Sequence, residues 1–127
     1  MSTQRTVLVI EDEDRLRQTI AAYLEDSGYL ITQAANGRKG IEVFAQRNPD
    51  IVLTDLRMPD MNGVEVVAWL RENSPHTPII VFTGTGDQRS QAAVLGQGVR
   101  ACIAKPIHDL AELEAAIEQA LLPKQKA

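Results

Sequence analysis

Short, uninterrupted apolar runs alternate along this chain with longer stretches in which apolar residues return every three or four positions. Val7-Leu8-Val9-Ile10, Ile51-Val52-Leu53 and Pro78-Ile79-Ile80-Val81-Phe82 are apolar at consecutive positions. They are too short for helices and read as strands buried on both faces, the mark of a parallel sheet covered by helices. Tyr29 to Ala34 is more mixed and suits an edge strand, and Val99 to Ala104 gives a fifth. Between them lie helical stripes. Leu16, Ile20 and Leu24 form the first, with Tyr23 beside them, Asp14 as its expected cap and Gly28 as its stop. A second helix turns Gly40, Ile41, Phe44 and Ala45 inward and ends before Pro49. A third runs from about Val64 to Glu72, and a fourth from about Gln88 to Gln97. The fourth has Ala92, Ala93 and Leu95 but few large anchors, and glycines at 84, 86, 96 and 98 flank it, so it is the expected least stable helix. The last carries Leu110, Leu113, Ile117 and Leu121. Five strands alternating with five helices predict an α/β fold, a doubly wound parallel sheet with helices on both faces.

The length of 127 residues suits one domain. Residues 1–5 read as a tail, 6–122 as the domain, and 123–127 as a second tail or the start of a linker. With 4% aromatic residues, the core falls to Val, Ile, Leu and Ala. A net charge of −4 and a pI near 5.1 argue against direct nucleic-acid binding or an anionic membrane surface. No apolar run approaches the roughly 20 residues of a membrane span. The opening Met-Ser-Thr-Gln-Arg-Thr lacks the apolar segment of a secretion signal. The single cysteine, Cys102, allows neither an internal disulfide nor a cysteine metal cage. The expectation is a soluble, cytoplasmic domain.

The chemistry lies where the strands stop. Strand one ends in Glu11-Asp12-Glu13-Asp14 and strand three in Asp55, before a loop that Pro59 and Asn62-Gly63 enforce. Strand four ends in Thr83 and strand five in Lys105. In an open α/β sheet the C-terminal strand ends share one edge, where ligands bind. Three crowded carboxylates are costly without a cation, and an all-oxygen donor set suits Mg²⁺. A carboxylate beside a metal, a hydroxyl and an ammonium can accept a phosphoryl group: the cations neutralise the phosphoryl oxygens while the carboxylate attacks in line. Each residue alone is bland, since acids after strands often cap helices and edge lysines are usually solvated. Four complementary groups at four strand ends are the signal.

These features resemble the receiver domain of response regulators in two-component signalling, over about residues 5 to 122. The matching stretches are Val7 to Glu13, Asp55-Leu56-Arg57-Met58-Pro59-Asp60-Met61-Asn62-Gly63, Thr83-Gly84 and Lys105-Pro106. The resemblance implies a flavodoxin-like fold of strand order 2-1-3-4-5. It implies that Asp55 is the phosphoacceptor, taking the group from a sensor histidine kinase or phosphotransfer protein. Mg²⁺ would be held by Asp12, Asp55 and the backbone carbonyl of Arg57, with Glu11 acting through water. Thr83 and Lys105 would bind phosphoryl oxygens, and the Lys105–Pro106 bond would be cis. The loop after strand four, with Gly84, and the face of helix four, strand five and helix five would switch an output domain or partner. Such a domain is no conventional enzyme: it carries out Mg²⁺-dependent self-phosphotransfer and slow self-dephosphorylation. Homodimerisation on phosphorylation is compatible with it.

The chain departs from the family's pattern in two places. Glu11 stands where the family often has Asp, a difference of one methylene. Cys102 stands where many receivers carry the Tyr or Phe that swings inward on phosphorylation, so the switch is expected to rely on Thr83 to Asp87 and the weak fourth helix. Cys102 itself reads as a buried small hydrophobe. Arg57 and Thr85 flank the site, His76 and His108 read as solvated, and Trp69 as packing. Three other functions compete. A phosphatase of the haloacid dehalogenase type would use Asp12-Glu13-Asp14, but Glu11 intervenes before Asp12 and a cap has no room. A flavodoxin-like nucleotide binder would need a Ser-, Thr- or Gly-rich loop where this chain has acids. A pseudo-receiver that is never phosphorylated would serve only as an interaction module.

Overall fold

The computed structural model describes residues 4–122. Five strands alternate with five helices: β1 (Thr6–Ile10), α1 (Asp14–Asp26), β2 (Leu30–Ala34), α2 (Gly37–Arg47), β3 (Ile51–Asp55), α3 (Gly63–Asn73), β4 (Ile79–Thr83), α4 (Gln88–Leu95), β5 (Ala101–Ala104) and α5 (Leu110–Leu121). The strands are all parallel, in the order β2-β1-β3-β4-β5. Successive side chains of a strand point to opposite faces, which divides the core into two layers. Leu8, Ile10, Val52 and Val81 pack with Phe44, Val66, Leu70 and Val94 from α2, α3 and α4. Val7, Val9, Leu53 and Phe82 pack with Ile20, Leu24, Leu113 and Ile117 from α1 and α5. The runs that are apolar at every position are therefore the strands with a helical layer on each side. Among the described residues, no helix is long and apolar enough to cross a membrane.

The structure moves several predicted boundaries. Asp14 does not cap α1. It is the first helical residue, Glu13 is the N-cap without a side-chain bond, and the Asp14 carboxylate pairs with Arg17 at 2.8 Å. The loop is instead turned from below, where Glu13 N donates to Glu11 Oε2 at 3.1 Å. In α2, Ala45 is exposed and Ile41 only half-buried, leaving Phe44 and two glycines as the inward face. In α4 the single buried residue is Val94, while Ala92, Ala93 and Leu95 are exposed, and the helix ends two residues early. Gly98 adopts φ +79, a conformation that suits glycine, and delays β5 to Ala101 although Val99 is already buried. The predicted tail at 123–127 and residues 1–3 lie outside the described residues.

At the N-terminal end of the sheet, a depression of about 460 Å³ is lined by Arg5, Arg71, His76 and Arg100 among others. Arg71 acts there as a staple, donating to the carbonyls of Gln97, Pro75 and Thr77 at 2.8, 2.9 and 3.0 Å. His76 is exposed, as expected.

The loop that follows Asp55 is fixed at both ends. Asn62 caps α3 by accepting from Glu65 N at 3.0 Å, and the Glu65 carboxylate returns the bond to Asn62 N at 3.3 Å. Gly63 N donates to the Leu56 carbonyl at 2.8 Å, and a Cβ on Gly63 would collide with the backbone of Asp55 and Leu56. Helix propensity alone favours Gly63→Ala by about 1 kcal/mol. The clash is with backbone that cannot rotate away, and overpacking of this kind costs about 1–3 kcal/mol or more. We predict that Gly63→Ala lowers stability by about 2 kcal/mol, measured by urea denaturation; a stabilised variant would show that the loop yields.

Candidate functional site

The parallel register carries four strand ends to one edge. Asp55, the last residue of β3, pairs with Phe82, so Thr83 stands one step beyond it on β4. Thr83 pairs in turn with Ala104, and Lys105 N donates to the Thr83 carbonyl at 2.7 Å. Glu11 follows β1 directly, and its N–H extends the ladder to the Ala34 carbonyl at 3.0 Å.

Glu11 is fully buried and Asp55 is 4% exposed, whereas Asp12 is exposed. Carboxylate oxygens of all three lie within 4.8 Å of one another. The Lys105 ammonium bridges two of them, 2.8 Å from Asp55 Oδ2 and 3.0 Å from Glu11 Oε1. Asp55 Oδ1 accepts a longer bond, 3.4 Å, from Arg57 N. One ammonium against three carboxylates leaves excess negative charge in a partly dry setting, the condition that favours a hard cation. A depression of about 400 Å³, lined by Asp12, Arg57, Met58, Pro59 and Asn62, opens beside the cluster. The acidic cluster can thus bind a metal ion through oxygen donors.

Burial pushes the Glu11 carboxyl up to about 7; the bond from Glu13 N and the nearby Lys105 oppose this, and the Asp55 charge adds to it. Burial acts to lower the Lys105 ammonium, but hydrogen bonds to Asp55 and Glu11 outweigh it and hold the group above its ordinary value. Lys105 is therefore charged throughout the physiological range.

The structure thus brings Glu11, Asp12, Asp55 and Lys105 together. Thr83 is buried at the same edge, with no hydrogen bond from its hydroxyl to Asp55 or Lys105 among the described residues. The Lys105–Pro106 peptide is cis. Gly84 N donates to Asp87 Oδ2 at 2.6 Å. Cys102 lies in β5 opposite Val81, only half-buried against the α2–α4 layer, and burial raises its thiol. Thr85 and His108 are exposed. Trp69 packs edge-on against Phe44, with ring centroids 5.9 Å apart.

Two residues make contacts that the sequence did not reveal. Arg17, with only 11% of its side chain exposed, donates to the Glu11 carbonyl at 2.9 Å and to Gln33 Oε1 at 3.2 Å, and pairs with Asp14. It moors the acidic loop to β2. Its spacing of three from Asp14 was the available signal. Asp87, 4% exposed, pairs with Arg57 Nε at 2.6 Å. Its signal was an acid preceding the α4 pattern, which reads equally well as an ordinary cap.

Comparison with known proteins bears on the fold and the family. The family described as Response regulator receiver domain matches residues 7–118. The regulatory protein AtoC of Escherichia coli is 31% identical over 95% of this chain and 26% of its own length. The transcriptional regulatory protein SrrA of Staphylococcus aureus is 35% identical over 79% of this chain and 41% of its own. The chain thus spans well under half the length of these relatives. Among solved structures, a response regulator receiver domain protein from Clostridium thermocellum superposes with a TM-score of 0.87 at 28% identity, covering 92% of this chain and 94% of that one. The chemotaxis protein CheY4 of Vibrio cholerae does so with a TM-score of 0.86 at 26% identity, covering 94% and 100%.

The Glu11 carboxyl yields a pH prediction. Its folded-state value, about 7, lies above the ordinary 4.5. Between those values the folded protein binds more protons than the unfolded chain, so stability from this residue falls as pH rises through that window. Glu11→Gln removes the titration. Its stability relative to the unsubstituted protein should therefore grow between about pH 5 and pH 8, measured by chemical denaturation at each pH without divalent metal. A constant difference would mean that Glu11 is ionised throughout.

Proposed function

The chain belongs to the response regulator receiver domain family of two-component signalling, and within it we propose that Asp55 is a working phosphoacceptor charged by the phosphohistidine of a sensor kinase or phosphotransfer protein. The observation that carries this reading is the Lys105 ammonium held 2.8 Å from a nearly buried Asp55 carboxylate, inside an acidic cluster that can take a metal.

In the transfer, an oxygen of Asp55 attacks phosphorus as the phosphorus–nitrogen bond breaks. The departing imidazole keeps the bonding electrons and takes up a proton, and Asp55 becomes an acyl phosphate. Burial of Asp55 between β1 and β4 keeps its carboxylate fixed at the edge and free of bulk water. Lys105 Nζ receives phosphoryl oxygen charge at the place where it already holds carboxylate. The Thr83 hydroxyl, beside it in register, donates to a second oxygen. Asp12, Asp55 and the backbone carbonyl of Arg57 would hold Mg²⁺, with Glu11 acting through water. When bound, that ion neutralises the negative charge that attacking and transferred groups bring together.

The receiver spans residues 6–122 in this reading and acts in the cytoplasm. Its signal leaves through the loop 84–87 and the surface of α4, β5 and α5 toward an output domain or partner protein. The curated relatives are regulators of which this chain matches one part, which favours an attached output.

The test is intact mass after incubation with acetyl phosphate and Mg²⁺. We expect a gain of one phosphoryl group that requires Mg²⁺ and is lost in Asp55→Asn. No adduct and no beryllofluoride binding would leave an interaction module that is not phosphorylated.

A further inference from the structure

A second charge pair stands between the Asp55 site and α4. Arg57 Nε donates to Asp87 Oδ1 at 2.6 Å, and the other oxygen of Asp87 accepts from Gly84 N at 2.6 Å. Asp87 occupies the N-cap of α4, yet its side chain makes no cap bond to that helix. An acid in that position ordinarily accepts from the helix's own first turn. Here the carboxylate is turned back into its loop and across to the loop that carries Asp55.

Arg57 itself links the two sites. Its backbone N–H reaches Asp55 Oδ1, while its side chain reaches Asp87. Gly86 adopts φ +87, and a Cβ there would lie 3.1 Å from the Arg57 guanidinium, so glycine leaves room for the side chain to cross. An ordinary surface ion pair has two solvated partners and contributes little. In this one Asp87 is nearly buried and bonded by backbone as well, and only Arg57 is exposed, with 69% of its side chain accessible.

We infer that the Arg57–Asp87 pair is a charge-gated latch on the β4–α4 loop, closed in the unphosphorylated protein and opened when the phosphoryl group on Asp55 takes the Arg57 guanidinium. The inference rests on the proposed phosphoacceptor role of Asp55 and specifies how that site is read out. A phosphoryl group carries up to about two negative charges and three acceptor oxygens, against the single charge of Asp87. Guanidinium groups favour such multidentate oxygen partners. The added negative charge also repels Asp87. Once released, Asp87 no longer fastens the loop 84–87 to the loop after β3. The helix that follows is anchored by one buried residue, Val94, and has little else to keep it in place. Asp87 is thus a positioning residue for the switch, with no part in the transfer.

The experiment is NMR of the free and the beryllofluoride–Mg²⁺-loaded protein, following the Arg57 Nε–H and the amides of Gln88 to Leu95. Acetyl phosphate and intact mass serve as an independent check of Asp55. In the unsubstituted protein, loading should shift the Arg57 Nε–H and all α4 amides. Asp87→Asn without beryllofluoride should lose the Arg57 Nε–H shift of the free protein and move the α4 amides along the same line toward the loaded positions. Arg57→Met, which removes the other partner of the pair, should move them in the same direction. An adduct at Asp55 with the Arg57 Nε–H and α4 unmoved would overturn the latch and leave the phosphoacceptor reading standing. So would α4 amides in both variants at the positions of the free, unsubstituted protein. Absence of any adduct would overturn both.

Discussion

Two buried carboxylates sharing one ammonium, with a third carboxylate close by, is the constraint around which the molecule is arranged. Glu11 and Asp55 sit at the buried ends of β1 and β3, and Lys105 reaches both from the end of β5. Removing one partner of a buried, hydrogen-bonded pair typically costs about 3–5 kcal/mol, because it strands the other charge. Lys105 is therefore a structural brace as well as a candidate ligand for phosphoryl oxygen. The core strands make this tolerable. Their apolar residues, packed on both faces, fix the backbone so firmly that like charges stay close where a softer scaffold would relax them apart.

Much of this was legible in the sequence because the strands are buried on both faces. Val7–Ile10, Ile51–Leu53 and Ile79–Phe82 admit no helical reading, so the residues that follow them had to lie at one edge. What the sequence concealed depends on contacts between segments far apart in the chain. Arg17 looks like one more polar residue on an exposed helix until β2 supplies Gln33 and the loop after β1 supplies the Glu11 carbonyl. Asp14 looks like a cap, but the loop above it is already turned by Glu11, so its carboxylate is spent on Arg17. In α4 the residue that matters, Val94, was overlooked for its larger neighbour Leu95, because a short helix with alanines on several faces has no clear apolar stripe.

The strand order is a different kind of success. Alternation of strands and helices predicts parallel pairing and right-handed connections, but it does not say which strand takes the middle. That order came from resemblance to a family, and the observed β2-β1-β3-β4-β5 agrees with it. The consequence is physical. Only with β1 and β3 adjacent can Glu11 and Asp55 share one ammonium, and only with β4 between β3 and β5 does Thr83 stand between Asp55 and the start of the Lys105 segment.

Cys102 bears on how the carboxylate edge and the outer face of the sheet are connected. It occupies a β5 position opposite Val81, half-buried on the side of α2, α3 and α4. Its side chain is too small to exchange between an inward and an outward packing state as a bulky ring does, and its raised thiol keeps it a neutral, minor contributor there. β5 thus offers little mechanical connection between the carboxylate edge and the outer face of the sheet. The connection that does exist runs through charge. Arg57 and Asp87 join the loop after β3 to the loop after β4, and the backbone of Gly84 completes the link beside Thr83. A fastening made of one buried acid and one exposed guanidinium is sensitive to a new anion nearby. Side-chain packing of similar strength would lack that sensitivity, because apolar contacts do not respond to the appearance of charge. If Asp55 takes up a phosphoryl group as proposed, an ionic fastening beside that carboxylate is an arrangement that can register the added charge.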